Sequence, residues 1–260
     1  MRNALVVIFA VAIVGAAVAQ TQPTSEPAAD PQIDQVLDEL HARGGTLKEF
    51  IADISEADSD TVMQNTTTKT GNVWYQVKPD QTVRLRVVFN KKQVGSKPAR
   101  DERREYLLDN GWLIDRDYPD KIEKNQQVSQ PGEKVNLFQL GKGPLPLPIG
   151  QDKKDVHDQF DVMQVPAAQG DPPRTVHLQL KPKPGTDLAR KFTTLDFWIN
   201  RKLAMPIRVE TLDAQQSMDQ VIDLQNLNVN PTPGLKDTDF TLPSIDKEPG
   251  WNRHDEPFAQ

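Results

Sequence analysis

The sequence predicts an α+β fold with one large antiparallel sheet. Residues 193–230 are the clearest evidence, because Leu195, Phe197 and Ile199 alternate with polar residues, as in a half-buried strand. An amphipathic helix precedes the strands, and an irregular proline-rich segment divides them into two groups. A helix followed by runs of strands is typical of an α+β domain.

Two further strands follow in this region and complete a meander. Residues 206–211 place Ile207 and Val209 on the inner side, and residues 218–224 place Ile222 and Leu224 there. Short polar connections between neighbouring strands favour antiparallel pairing, with one apolar and one polar face.

The N-terminus has the pattern of a secretory signal peptide. A basic start precedes apolar residues 4–18, and the small residues Ala17-Val18-Ala19 predict cleavage before Gln20. An uncleaved anchor is the less favoured alternative, since a bilayer span takes roughly 20 residues. We therefore divide the chain into a signal peptide (1–19), a flexible linker (20–32), one domain (33–245) and a polar tail (246–260).

Composition limits the partners of the exported chain. The 260 residues include no cysteine, which excludes disulfides and an acylated cysteine after the signal. Removal of Arg2 with the signal leaves 30 basic and 37 acidic residues, a formal charge of -7. An acidic exported protein is a poor candidate for binding nucleic acid, and we expect a monomer without cofactors.

The opening helix and the first strands are read from local signals. Asp30 is the predicted N-cap with Pro31 at the first helical position, and Gly44-Gly45 ends the helix. Strands are predicted at 47–55, 62–77 and 83–89, while the charged residues 91–104 predict a mobile loop. Alternating apolar residues on the second and third strands are Val73, Tyr75, Val77, Val83, Leu85, Val87 and Phe89.

Turn chemistry and prolines organise the middle of the chain. Asn110-Gly111 predicts a hairpin over 105–115, which 122–128 continues. Residues 133–150 are rich in glycine and proline and cannot form a strand, yet Leu145, Leu147 and Ile149 are apolar. We predict that these three form a lid over the mouth of the sheet. A helical turn (152–158) and strands (160–165, 175–180) follow.

No catalytic motif is present. The four histidines are scattered, and no nucleophile elbow, phosphate-binding loop or dinucleotide fingerprint occurs. His157, between Asp155 and Asp158, is the best metal candidate, but a solvated helix end explains it better. We therefore predict a protein that is not an enzyme, with neither catalytic nor metal-binding residues.

The apolar face of the sheet leaves two interpretations open. It is either the core of an ordinary module or the wall of an apolar hollow, as in small ligand-holding barrels. One amphipathic helix and a proline-rich segment are little material to cover a large sheet, so we weigh the two equally.

Residues 33–243 resemble the periplasmic outer-membrane lipoprotein carrier family, the LolA/LolB-like proteins. The resemblance rests on the order and spacing of several short motifs. They are the strand GNVWYQVKP (71–79), the hairpin NGWLID (110–115), the strands at 195–199, 205–207 and 222–226, and the ending FTLP (240–243).

The resemblance implies an incomplete β-barrel that shields the acyl chains of lipoproteins or related lipids in the periplasm. It also implies an inner-membrane release complex and an outer-membrane acceptor as partners. Lys78 stands where carriers have a lid-latching arginine, and lysine cannot make the same bidentate contacts. An envelope sensor or binding module for a protein or glycolipid is the alternative, and a hydrolase is a weaker one. Predicted cavity-lining residues are Val73, Tyr75, Val77, Leu85, Val87, Phe89, Leu195, Phe197, Ile199, Ile207, Val209, Ile222 and Leu224.

A first prediction concerns export. Because Ala17-Val18-Ala19 fits a signal-peptidase site, the exported chain should begin at Gln20 and fractionate as a water-soluble protein. N-terminal sequencing of the exported form measures this. A mature chain that retains residues 4–18 and sediments with membranes would contradict it.

Overall fold

The computed structural model describes residues 30–130, 132–134, 138, 148–246 and 248–257. It confirms an α+β fold built on a single open sheet of twelve strands. The helices are α1 (Pro31–Thr46) and α2 (Lys153–Gln159). The strands are β1 (Glu49–Asp60), β2 (Asn65–Val77), β3 (Val83–Val94), β4 (Arg100–Asp109), β5 (Trp112–Asp117), β6 (Ile122–Gln127), β7 (Phe160–Val165), β8 (Thr175–Pro182), β9 (Phe192–Asn200), β10 (Met205–Asp213), β11 (Met218–Val229) and β12 (Asn252–Glu256).

The strand order places the first strand in the middle of the sheet. The order is β12-β6-β5-β4-β3-β2-β1-β11-β10-β9-β8-β7, so β1 pairs with both β2 and β11. Every neighbouring pair is antiparallel except β12 and β6, which are parallel. The two ends, β12 and β7, do not meet, and the sheet is an incomplete barrel.

Helix α1 covers the inner face of this sheet. The Asp30 carboxylate accepts a hydrogen bond from the backbone amide of Gln32 at 2.9 Å, as expected of an N-cap. The buried stripe of the helix joins the main apolar cluster, which also contains residues of β1, β2, β3 and β7 to β10. Its members are Ile33, Val36, Leu37 and Leu40.

The predicted loop at 91–104 is wrong. Strand β3 continues to Val94 and β4 begins at Arg100, which leaves only a short turn between them. Charged residues extend the ladder because they are paired across it: the Lys92 ammonium lies 2.9 Å from Glu102. Opposite charges on facing strands stabilise a sheet, so a high density of charge did not imply a loop.

Other local signals are confirmed. Asn110 and Gly111 both have positive φ angles, 49° and 81°, which the predicted hairpin between β4 and β5 requires. Helix α2 and strands β6, β7 and β8 occur where the sequence predicts them. The segment after β8 forms a turn in which the Phe192 amide donates to the Leu188 carbonyl at 2.8 Å.

The outer face is less exposed to solvent than predicted, because two sets of contacts bury parts of it. At β9, Trp198 is only 6% exposed and stacks on His177 with ring centroids 4.0 Å apart. Over β3 to β6, the C-terminal segment lies against the sheet. The centroid of the Phe240 ring lies 4.1 Å from the Arg84 guanidinium carbon.

The polar C-terminal end forms a strand as well. Residues of β12 are polar and exposed, as the sequence indicates, yet they pair in register with β6. The Arg253 guanidinium reaches Glu123 at 2.7 Å and the Asn125 amide reaches Asp255 at 2.7 Å. These polar contacts fasten the end of the chain to the sheet.

A second prediction tests the buried carboxylate of Glu105, beneath the C-terminal segment that lies over β3 to β6. Glu105 is fully buried and accepts hydrogen bonds from Arg86 and Arg103. Glu105→Gln removes the buried countercharge of the half-buried Arg86, so the free energy of unfolding should fall by about 3 kcal/mol or more. Denaturant unfolding measures the loss.

The matched control is Glu102→Gln on the same strand. Glu102 pairs with Lys92 and Arg100 at the surface, so its loss should stay below about 1 kcal/mol. Equal losses in the two variants would show that the buried network contributes nothing beyond a surface ion pair.

Candidate functional site

A cleft opens on the inner face at the C-terminal end of α1, and we call it the mouth cleft. Its volume is about 460 Å³. It lies between the last turn of α1, the facing ends of β2 and β3, and the segment at residues 149–150. The apolar lining is Leu47, Tyr75, Val77, Val83, Phe138 and Ile149, and His41 and Gln81 stand at its edge.

Two glycines allow the wall of the mouth cleft to close against α1. A Cβ atom on Gly44 would lie 2.2 Å from the Cα of Gly150, so only glycine fits there. The Gly150 amide donates to the Leu40 carbonyl at 3.1 Å, and Gly150 has a φ of 73°. The segment that carries Ile149 is thereby held against the helix, with Ile149 only 1% exposed.

Aromatic rings form the floor of the mouth cleft. Phe50 stacks on Tyr75 with ring centroids 5.2 Å apart, and Phe138 packs at a tilt against the Tyr75 ring, with centroids 4.9 Å apart. Burial raises the pKa of the Tyr75 phenol above its usual range. The floor therefore stays neutral and passes without a break into the main apolar cluster, to which all three rings belong.

The structure places twelve of the thirteen predicted cavity-lining residues in or against that cluster. Nine are buried: Val73, Tyr75, Leu85, Val87, Phe89, Leu195, Phe197, Ile199 and Val209. Three are half-buried and pack against it: Val77, Ile222 and Leu224. The buried stripe of α1 belongs to the same cluster, so these side chains and the helix share one apolar core. Their role as a lipid cavity remains a prediction.

Ile207 is the exception. The pairing of β10 with β9 shifts between Pro206 and Arg208, so Ile207 occupies the bulge of the ladder. A bulge inserts one residue and interrupts the inward–outward alternation that placed Ile207 on the inner face. It lies outside the main cluster, whereas Met205, in the same strand, is fully buried within it.

The remaining predicted residues are distributed as follows. The Lys78 ammonium contacts Asp109 at 2.9 Å, and within the described ranges it is hydrogen-bonded to nothing in α1 or at 148–150. Its role as a latch stays a prediction. Leu145 and Leu147 lie outside the described residues. His157 contacts Asp34 of α1 at 2.9 Å, and the described part of the chain holds no cluster of metal-ligating side chains.

Polar contacts hold the flank of α1. The Lys153 ammonium lies 2.9 Å from Asp38, and Arg201 donates to Glu39. At the end of the helix, the Arg43 side chain donates to the Leu203 carbonyl at 2.8 Å. Sequence reasoning missed that Leu47, Val83 and Phe138 belong to the site. The Gly44-Gly45 pair at the helix end was the available signal.

Comparison with known proteins identifies similar folds. No protein-family model matches the sequence, and no significant match exists among curated proteins. Solved structures do match, among them MucB at 14% identity and a TM-score of 0.49, over 83% of this chain and 64% of that one. The chain thus spans less than two thirds of MucB.

Two further matches cover nearly the whole of the other protein. An uncharacterised conserved protein from Thermus thermophilus has 12% identity and a TM-score of 0.47, over 86% of this chain and 99% of that one. LolA superfamily protein NE2245 from Nitrosomonas europaea has 12% identity and a TM-score of 0.31, over 80% and 96%. The matches include the family that the sequence resembles. None reaches a TM-score of 0.5, so function is argued from the residues of this chain.

A third prediction tests the glycine contact. Gly44→Ala places a methyl group against the Gly150 backbone, so the 148–150 segment should detach from α1 and expose Ile149. We expect faster hydrogen exchange at the Gly150 amide and a loss of stability. The exchange rate of that amide, followed by NMR, is the measurement.

Gly45→Ala is the control on the same turn of the helix. A Cβ atom at Gly45 meets nothing within 4 Å, so this variant should be neutral or gain up to about 1 kcal/mol from helix propensity. If both variants leave the Gly150 amide equally protected, the contact does not hold the segment.

Proposed function

We propose that the chain is a carrier or binding protein for acylated molecules of the cell envelope, described here in its closed state. The observation that supports this most directly is the continuity between the mouth cleft and the apolar cluster of the inner face. An acyl chain that enters beside Val77 and Val83 would pass over Tyr75 and reach the apolar cluster behind it.

Ligand entry is an exchange of apolar contacts. Phe138 and Ile149 now line the mouth cleft and pack into the apolar cluster, and an acyl chain would take their place there. Each methylene group that leaves water contributes about 0.8 kcal/mol, so a chain of ten or more can offset the exposure of two side chains.

The contacts that hold α1 fit a cover that opens. Along its flank the helix is attached through side-chain ion pairs at the surface, with Lys153 and Arg201 as the cations. Such pairs contribute about 0–1 kcal/mol each. Displacement of the helix would therefore be opposed chiefly by its apolar stripe, which an acyl chain can replace in contact with the sheet.

The finer features of this function rest on the sequence. We propose that the cargo is a lipoprotein or a related lipid, that the chain works in the periplasm after signal-peptide cleavage, and that it delivers cargo towards the outer membrane. Neither described helix is long and apolar enough to span a membrane. A release complex and an acceptor remain proposed partners.

The rival proposal is an envelope sensor that binds a protein. MucB, one of the structural matches, has been crystallised with MucA. In that case the inner face would be a permanent core and acylated ligands would not enter it. The two proposals differ in what the removal of Ile149 does to acyl-chain binding.

A fourth prediction makes that distinction. Ile149→Ala removes a side chain that the acyl chain must displace, so it should lower stability by about 2–5 kcal/mol and increase affinity for a palmitoylated peptide. If the variant lowers the free energy of opening by about 1.4 kcal/mol, the peptide should bind tenfold more tightly. Fluorescence titration of the mature protein with that peptide measures the affinity.

The matched control is Ile54→Ala, which truncates another buried isoleucine of the same cluster, in the sheet itself. It should destabilise the protein without tightening peptide binding. Affinity that is unchanged or weaker in Ile149→Ala would contradict displacement at the mouth cleft. No binding to the wild-type protein would favour the rival proposal.

A further inference from the structure

A second cleft, also about 460 Å³ in volume, lies across the middle of the sheet, and we call it the outer cleft. Its polar lining comes from β1, β2, β3 and β11. Asp53 and Asn72 face away from α1, because their neighbours Ala52 and Val73 belong to the inner apolar cluster. The outer cleft is therefore separated from the mouth cleft by the sheet.

Irregularities in adjacent ladders create the outer cleft. The pairing shifts between Ile51 and Asp53 in β1, between Thr70 and Gly71 in β2, and between Phe89 and Lys91 in β3. A bulge bends a strand and increases its twist. The shift between β1 and β11 and the two shifts around Asn90 of β3 stand on either side of the regular β1–β2 ladder, and together they produce a crease.

Gly71 shows that this crease is tightly built. A Cβ atom at this position would lie 1.7 Å from the Val88 carbonyl oxygen of the neighbouring strand. The backbones approach too closely for any side chain, and glycine in a strand often marks such an approach. The cleft is thus a fixed feature of the sheet, with a volume in the range of small-molecule sites.

The polar groups in the outer cleft are of two kinds. The Asp53 carboxylate is fixed at both oxygens, by Asn72 at 2.7 Å and Asn226 at 2.6 Å. The others form no side-chain hydrogen bond or ion pair with any described residue. They are Ser55, Thr70, Asn90, Lys91 and Gln225.

Four cations elsewhere in the sheet are paired, in contrast to Lys91. The cations Lys69, Lys92, Arg104 and Arg208 all pair with carboxylates on neighbouring strands. The concave outer cleft thus brings five polar side chains without such partners close together. A ligand that both donates and accepts hydrogen bonds over its whole surface would satisfy them.

We propose that the outer cleft binds a neutral saccharide. One carboxylate and one ammonium group give the lining no net charge, so neither a polyanion nor a polycation is favoured. Carboxamides and hydroxyls both donate and accept, as sugar hydroxyls do. Trp74 is the next outward residue of β2 after Asn72. It stands outside the lining of the outer cleft, and the Arg86 guanidinium carbon lies 5.4 Å from its ring centroid.

Saccharide binding would be independent of acyl-chain binding, because the two clefts lie on opposite faces of the sheet. A glycan of the envelope could then hold the protein in place while its inner face exchanges cargo. This inference goes beyond the proposed carrier function and does not depend on it.

The experiment is an NMR titration of the ¹⁵N-labelled mature chain with maltotriose and, separately, with N,N′-diacetylchitobiose. With dissociation constants of about 1 mM, we expect shifts of the Asn72, Asn90 and Gln225 side-chain amides with at least one sugar. Asn90→Ala should weaken binding at least fivefold without loss of stability, because Asn90 is exposed and occupies a bulge.

Asp53→Ala is a second variant, which removes the carboxylate of the outer cleft. It should weaken saccharide binding even if the crease keeps its shape. Gln164→Ala, on the exposed edge strand β7, is the matched control and should bind as the wild type does. The proposal is overturned if neither sugar shifts these amides at about 20 mM, if the shifts map elsewhere, or if Asn90→Ala binds as tightly as Gln164→Ala.

Discussion

The packing of α1 against the inner face of the sheet is the contact on which the rest of the structure depends. An open sheet of twelve strands presents a wide apolar surface, and one long helix among the described residues packs on it. Leu37 and Leu40 are buried at the centre of that contact. At the last turn of the helix, which contains Gly44 and Gly45, Phe138 and Ile149 take over the contact with the cluster, and the mouth cleft lies at this transition.

The outer face is organised by different forces. Glu105 and Glu123 are buried and hold the Arg86 and Arg116 guanidinium groups. These two guanidinium groups donate to the Asp239 and Pro243 carbonyls and so attach the C-terminal segment over β3 to β6. The middle of the sheet is left uncovered, and the bulges bend it there. One sheet thus presents an apolar site on one side and a polar cleft on the other, as a consequence of which parts each cover reaches.

Much of this fold could be predicted from the sequence, because alternation and turn chemistry are local signals. The Asn110-Gly111 turn and the alternation around Phe197 are examples. Features that depend on pairing with a neighbouring strand leave no clear local pattern in the sequence. The charged strand ends at 91–104 resembled a loop until their cross-strand partners were known, and the bulge at Ile207 depends on the register with β9. The outer cleft arises from three such shifts, so no single segment predicts it.

The central claim is that the inner face opens when an acyl chain enters at the mouth cleft. Hydrogen exchange at the Gly150 amide, which donates to the Leu40 carbonyl, tests it most directly. On saturation of the wild-type protein with a palmitoylated peptide, we predict faster exchange at Gly150 and in the last turn of α1, with unchanged exchange in β9. Unchanged or slower exchange at Gly150, with binding verified by fluorescence, would contradict this account.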